Sequence, residues 1–256
     1  MQLHYQTQGS RQSQSPPLVL VHGLFGSADN WGTIARHFAR HYQIISVDLR
    51  NHGRSSHSDT QTYQEMANDL LETFDVLGLE KIHLLGHSLG GKVAMQFATQ
   101  APRRLQSLIV VDMAMRAYDD AHTHLINAML AVDVSQMATR NEVDQALKAA
   151  IPELMVRQFL LTNLVKVEDR LQWRINLPEL KANYHHFQAA MAAHYAGPCL
   201  FMRGERSDYV QESDMAEIRQ SFPDVTFASL PTDHWVHAEQ PQLFIQTLEN
   251  FLASKR

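Results

Sequence analysis

The 256-residue chain has a single cysteine, Cys199, so it cannot form an internal disulfide. Its lysines and arginines form no basic stripe and its formal net charge is −5, which argues against a nucleic-acid partner or an anionic membrane surface. No apolar run approaches the length of a membrane span, and the first residues do not resemble a secretory signal. No group of Cys and His residues has zinc-ligand spacing, so no metal is expected. These absences predict a soluble, cytoplasmic protein and leave its oligomeric state open.

Short apolar runs alternate with helical stretches along most of the chain. The runs predict strands at residues 17–21, 43–48, 82–85, 108–112, 199–202 and 225–230. Helical periodicity predicts helices at residues 31–40, 63–77, 92–100 and 242–253. Continuous Val, Ile and Leu runs are typical of strands buried on both faces, so the prediction is an α/β fold with a mostly parallel sheet flanked by helices.

This alternation is interrupted between Met113 and Ala196, where strand signals are few. Helices are predicted there at 119–132, 142–150, 152–164 and 178–193. We therefore predict a core of residues 1–114 and 197–256 and a helical cap, or lid, of residues 115–196. Several apolar residues of this region either line a substrate pocket or only pack the cap onto the core, and packing is preferred for most of them: Met113, Met115, Met129, Met137, Met155, Phe159, Leu160 and Met191. The pocket candidates are Phe25, Met113, Met115 and Trp235.

The segment LLGHSLGG, residues 84–91, places Ser88 between glycines at the end of a predicted strand and the start of a predicted helix. Small residues on both sides allow the backbone to turn sharply without Cβ clashes. The pattern G-x-S-x-G in this context is typical of a nucleophile elbow, which exposes the serine side chain.

A serine needs a base to become a nucleophile, and the base needs an orienting acid. His234, directly after the last predicted strand, is the candidate base, and His237 is its competitor. Asp112, which ends a predicted strand, is the candidate acid, and Asp208 is the alternative. Ser207, three residues after Gly204, is assigned a hydrogen-bonding role beside the acid.

The oxyanion of the tetrahedral intermediate requires backbone N–H donors. Leu89 follows the nucleophile and supplies the first candidate. Leu24, in the loop His22–Gly26 that follows the first predicted buried strand, supplies the second. Arg50 follows another predicted strand and either binds an anionic substrate or, with Asp48, braces neighbouring loops; the bracing role is preferred.

The motifs VHGLFGS, VDLRNHGRS, GHSLGGK, GERSDYV and DHWVHAEQP occur in this order over the whole chain. Together they resemble the α/β-hydrolase superfamily, and within it the bacterial YbfF-type esterases and the related ABHD11 group. The resemblance implies an α/β-hydrolase fold whose cap is inserted after the sixth strand. It also implies Ser88 as nucleophile, His234 as base, Asp112 as acid and Ser207 as a further member of the charge network. Carboxylesterase activity is implied, with acyl-CoA thioester hydrolysis in some members.

The sequence therefore predicts a serine carboxylesterase or thioesterase that acts on a small acyl substrate and needs no cofactor. Two alternatives stay open. One is another serine-dependent reaction on the same fold, such as carbon–carbon bond hydrolysis or a menaquinone-pathway-like lyase reaction. The other is a ligand receptor that has kept the fold without catalysis.

Overall fold

A computed structural model describes residues 1–10 and 15–254, so positions 11–14 and 255–256 of the predicted core lie outside it. The strands are β1 (Tyr5–Gln8), β2 (Leu18–Val21), β3 (Ile44–Val47), β4 (Ile82–His87), β5 (Leu105–Val111), β6 (Leu164–Val167), β7 (Arg170–Trp173), β8 (Cys199–Gly204) and β9 (Val225–Leu230). Seven of them form one sheet in the order β1-β3-β2-β4-β5-β8-β9, and β6 and β7 form a separate hairpin. Only β1 runs antiparallel to its neighbour in the large sheet. The prediction of a mostly parallel sheet is confirmed.

The helices are α1 (Gly32–Phe38), α2 (Tyr63–Leu77), α3 (Leu89–Gln100), α4 (Thr123–Ala131), α5 (Arg140–Leu147), α6 (Leu154–Leu161), α7 (Leu177–Gln188), α8 (Met215–Ser221), α9 (Val236–Glu239) and α10 (Pro241–Ala253). Within the described ranges, no helix is both long enough and apolar enough to cross a bilayer.

Successive residues of the central strands pack against different helix layers, as the two-residue period of a strand requires. In β2, Val19 and Val21 join the cluster that contains α2 and α3, whereas Leu18 and Leu20 join the cluster that contains α1 and α10. Both faces of β2 are fully buried. This explains why its sequence is a continuous apolar run and not an alternating one.

The long insertion lies between β5 and β8 and carries α4 to α7 with the β6–β7 hairpin. It follows the strand that the sequence indicated, but in this chain that strand is the fifth and not the sixth, because four strands precede it in the described residues. The carboxyl ends of the parallel strands meet at one edge of the sheet, where ligand sites of open α/β sheets lie. Ser88 follows β4, Asp112 follows β5, and His234 follows β9 by a short turn.

Candidate active site

Ser88 occupies the sharp turn that joins β4 to α3, with φ of 54° and ψ of −121°. A side chain at Gly86 would overlap the backbone of Gly90, and one at Gly90 would meet the carbonyl of His22. Only glycine fits at these two positions, so the strand can approach the helix closely. The predicted elbow is therefore present, and it leaves Ser88 8% exposed at the strand ends.

The His234 ring lies between Ser88 and Asp112. Its Nδ1 is 2.7 Å from Asp112 Oδ2, and its Nε2 is 2.9 Å from Ser88 Oγ. A carboxylate can only accept, so Nδ1 carries the hydrogen and donates it to Asp112. Nε2 is then the acceptor for the Ser88 hydroxyl, which is the arrangement that general-base activation requires. The geometry brings together the serine, histidine and aspartate that the sequence singled out.

Asp112 is fully buried and accepts hydrogen bonds on both oxygens. The Gly204 N–H donates to Oδ1 at 3.0 Å, and the Ser207 hydroxyl donates to Oδ2 at 2.5 Å. Ser207 thus lies where it was expected, beside the acid. Asp208 is exposed and makes no hydrogen bond to His234; its backbone carbonyl accepts from Arg116. The alternative acid is therefore not brought to the histidine.

Two aromatic rings lie against the ring of His234. Tyr209 stacks on it with ring centres 3.8 Å apart, and the His87 ring lies 4.7 Å away. Burial lowers the pKa of His87 well below its ordinary value, and His234 and His237 lower it further. Burial, then His234, lowers the pKa of His237 to about 4. Both neighbours are therefore neutral near pH 7 and do not repel an imidazolium at His234.

His237 does not take the place of the base. Its ring lies against those of His87 and Trp31, at 4.8 and 4.5 Å, and its buried Nδ1 has no hydrogen-bond partner. Among the described residues, the Ser88 hydroxyl bonds to His234 and not to His237.

The loop after β2 is held in a tight turn by its own hydrogen bonds. Gly26 N–H donates to the Gly23 carbonyl at 3.0 Å, and Phe25 has a positive φ of 62°. His22 accepts from Leu49 N–H through Nε2, so its Nδ1 donates to the Gly23 carbonyl at 2.8 Å. In the part of the chain that is described, neither Leu24 nor Leu89 uses its backbone N–H in a hydrogen bond. Both donors remain available beside Ser88.

Two cavities of very different size adjoin Ser88. The larger, about 620 Å³, is lined in part by Phe25, Trp31, Phe159 and Trp235. The smaller, about 40 Å³, is lined by aromatic residues of the core and insertion together with Met113. The predicted pocket residues Phe25, Trp235 and Met113 therefore line one cavity or the other.

Met115 lines neither of these two cavities, so its role as a pocket residue stays a prediction. It is 2% exposed, and its carbonyl accepts from Met191 N–H at 2.9 Å.

Lys92, near the start of α3, is a fully buried cation that the sequence reasoning did not single out. Its Nζ donates to the carbonyls of Arg116 and Ala189, at 2.9 and 2.6 Å, and lies 4.9 Å from the centre of the Tyr118 ring. Burial, assisted by Arg116, lowers the pKa of Lys92 to about 8. Arg116 lies near the beginning of the insertion and Ala189 directly after α7, so Lys92 holds both ends of the insertion against α3.

Arg50 braces the structure away from Ser88. Its Nε and Nη2 donate to the Asp69 carboxylate at 2.7 and 2.9 Å, and its Nη1 donates to the Thr60 carbonyl. Asp48 similarly accepts from the backbone N–H groups of Ala28 and Arg54. The preferred bracing role of both residues agrees with these contacts. Over residues 1–10 and 15–254, no group of three His, Cys, Asp or Glu side chains is placed to hold a metal ion.

A family model described as the alpha/beta hydrolase fold matches residues 16–140. The chain is 38% identical to the sn-1-specific diacylglycerol lipase ABHD11 of Mus musculus, over 93% of this chain and 81% of that protein. It is 35% identical to Esterase YbfF of Escherichia coli, over 98% and 99% of the two chains. The solved structure of a marine microorganism esterase matches with a TM-score of 0.94 and 35% identity, over 98% and 99% of the two chains.

These likenesses extend over nearly the whole chain, and they confirm the resemblance that the ordered motifs indicated. The sheet order and the elbow agree with them. The chain belongs to the α/β-hydrolase family, among its esterases and lipases, and is a serine ester hydrolase.

Proposed function

We propose that the protein cleaves acyl esters through a covalent acyl-enzyme on Ser88. The single observation that carries the proposal is the hydrogen-bonded series Ser88–His234–Asp112, with bonds of 2.9 and 2.7 Å, at the wall of an open cavity. Ser55 also contacts a histidine that is paired with a buried carboxylate, but it does so through the backbone: the His4 N–H donates to Ser55 Oγ, and the His4 ring bonds to Asp48.

Acylation follows from these positions. Ser88 Oγ attacks the acyl carbon while His234 Nε2 takes its proton, and Asp112 stabilises the imidazolium that forms. The N–H groups of Leu24 and Leu89 hold the oxyanion. His234 then gives the proton to the leaving atom, and the alcohol departs. A water molecule repeats the sequence on the acyl-enzyme and releases the carboxylic acid.

We further propose a division into core and cap, a wider substrate class and a cellular location. Residues 1–114 and 197–256 form the catalytic core, and residues 115–196 form a cap over the site. A thioester, including acyl-CoA, is a chemically feasible substrate because the same groups cleave it. The protein acts in the cytoplasm, a location with which its single free cysteine is compatible.

The decisive experiment is intact-mass measurement after reaction with a fluorophosphonate, followed by peptide mapping. We expect one adduct, on Ser88. Ser88→Ala should abolish both labelling and ester hydrolysis while the circular dichroism spectrum stays unchanged. Ser56→Ala, at an exposed serine in a loop, is the matched control and should keep both. Ester hydrolysis by Ser88→Ala at the native rate would refute the assignment, and an unlabelled but folded native protein would favour a receptor role.

A further inference from the structure

Ser88 lies on the boundary of both cavities, and so does Leu24. The two groups joined by a scissile ester bond must therefore be divided between the cavities. Building on the proposed acyl-enzyme mechanism, we infer that the small cavity takes the acyl group and the large cavity takes the alcohol. The preferred substrates are then short-chain acyl esters of bulky, uncharged, apolar alcohols.

The need to protonate the leaving atom decides which cavity holds the alcohol. A tetrahedral intermediate on Ser88 Oγ carries an oxyanion, an acyl substituent and a leaving atom. The leaving atom must lie within hydrogen-bond distance of His234 Nε2, which protonates it. His234 lines the large cavity and does not line the small one. The alcohol therefore extends into the large cavity, and the acyl substituent is left with the small one.

The volume of the small cavity limits the acyl chain. It offers about 40 Å³. The large cavity offers about 620 Å³ on the same measure. We therefore expect the small cavity to accept acetyl and propionyl groups more readily than a hexanoyl chain, which would require the walls to move.

The walls of the small cavity are cross-linked by hydrogen bonds that resist such movement. Tyr63 Oη donates to the Phe187 carbonyl at 2.8 Å, and Tyr118 Oη donates to the Tyr209 carbonyl at 2.7 Å. The Lys92 ammonium lies against the ring of Tyr118, where it attracts the face of the aromatic ring. These contacts join α2 to α7, and the segment after β5 to α3 and to the segment after β8, around the small cavity.

The large cavity has the opposite character. Its volume of about 620 Å³ suits a group of many atoms, and its walls include Phe25, Trp31, Phe159 and Trp235. Among the described residues that line it there is no lysine or arginine, and the one carboxylate is Glu153. A leaving group with several phosphates, as in coenzyme A, would find no cation there and one anion. An uncharged apolar alcohol matches this surface.

Two ester series test the inference. The first keeps p-nitrophenol as the alcohol and lengthens the acyl group from acetyl to octanoyl. The second keeps acetyl and enlarges the alcohol from ethyl to cyclohexyl and 2-phenylethyl, with acid release followed in a pH-stat. We expect kcat/KM to fall at least tenfold between propionyl and hexanoyl, and to rise at least tenfold from ethyl to 2-phenylethyl.

Two variants test separately which group of the ester each cavity holds. Met113→Ala enlarges the small cavity and should extend the tolerated acyl chain while leaving the alcohol profile unchanged. Phe159→Ala, on the wall of the large cavity, should weaken the preference for bulky alcohols and leave the acyl profile unchanged. If Met113→Ala does not fold, Phe187→Leu replaces it, since Tyr63 bonds only to the backbone carbonyl of Phe187.

A pair of thioesters tests whether the large cavity disfavours a charged leaving group. Acetyl-CoA should be cleaved with a kcat/KM at least tenfold below that of S-butyl thioacetate, which carries the same acyl group on an uncharged thiol. Equal hydrolysis of acetyl and octanoyl esters, exchanged effects of the two variants, or a preference for acetyl-CoA would overturn the inference. Fluorophosphonate labelling of Ser88 in the same preparation separates these results from a failure of the proposed mechanism, in which neither labelling nor hydrolysis would occur.

Discussion

Replacing Asp112 with asparagine tests the acid assignment most directly, because the two side chains have nearly the same shape. Asp112 Oδ2 accepts from His234 and Ser207, and Oδ1 accepts from Gly204. An amide has only one oxygen. If the amide NH₂ faces His234, it donates to Nδ1 and forces the hydrogen onto Nε2, which then cannot accept the Ser88 proton.

The opposite amide orientation is also unfavourable. The NH₂ would then face the Gly204 N–H, and two buried donors would meet at a cost of about 1–3 kcal/mol. The first orientation is therefore favoured, and in it the base is lost. We expect kcat/KM of Asp112→Asn to fall about 10³- to 10⁴-fold, which corresponds to about 4–5.5 kcal/mol of transition-state stabilisation.

The assay is p-nitrophenyl acetate hydrolysis by purified variants whose thermal unfolding has been recorded. Asp208→Asn is the matched control, because Asp208 is exposed and makes no hydrogen bond to His234. Its kcat/KM should stay within about threefold of the native value. Comparable losses in the two variants, or the larger loss in Asp208→Asn, would refute the choice of Asp112.

Three further expectations concern pH and the insertion. Hydrolysis should decline as pH falls, because a protonated His234 cannot accept the Ser88 proton; a flat rate from acid to neutral pH would exclude it as the base. Burial holds the pKa of His52 at about 3 and those of His122 and His237 at about 4. Below pH 6.5 the unfolded chain therefore binds more protons than the folded chain. As pH falls from 6.5 to its folded pKa, each of these histidines should lower the free energy of unfolding by up to about 1.4 kcal/mol per pH unit. Denaturant titration at several pH values measures this loss. Lys92→Met should lower the Tm and raise KM for the ester, because the carbonyls of Arg116 and Ala189 lose their donor; an unchanged Tm and KM would show that Lys92 does not hold the insertion.

Sequence reasoning predicted the parts of the fold that carry a strong local signal. The six apolar runs became strands of the large sheet, and the glycines around Ser88 identified the elbow. The edge strand Tyr5–Gln8 was missed because its sequence, YQTQ, has no apolar face. The β6–β7 hairpin was missed for another reason. Its turn places Glu168 and Asp169 at positive φ, where Asn-Gly pairs are the usual signal.

The catalytic candidates could be ranked because each one lies at a strand end. Strand ends of a parallel sheet converge, so Ser88, Asp112 and His234 were expected to meet. The role of Lys92 could not be predicted in this way. Its acceptors are backbone carbonyls at Arg116 and Ala189, 24 and 97 positions away, and a carbonyl has no sequence signature. The two cavities could not be predicted from the sequence either, because their walls combine residues of the core and of the insertion.

The positive φ angles of Phe25, Ser88 and Asp112 place three residues of this site in backbone conformations that side chains disfavour. Each such residue costs of the order of 1–3 kcal/mol, which the surrounding structure must offset. These conformations therefore lower the stability of the fold that contains the site. A descendant of this protein released from selection for hydrolysis would gain stability by exchanging Ser88 for glycine. The serine persists at that position only while selection acts on what it does.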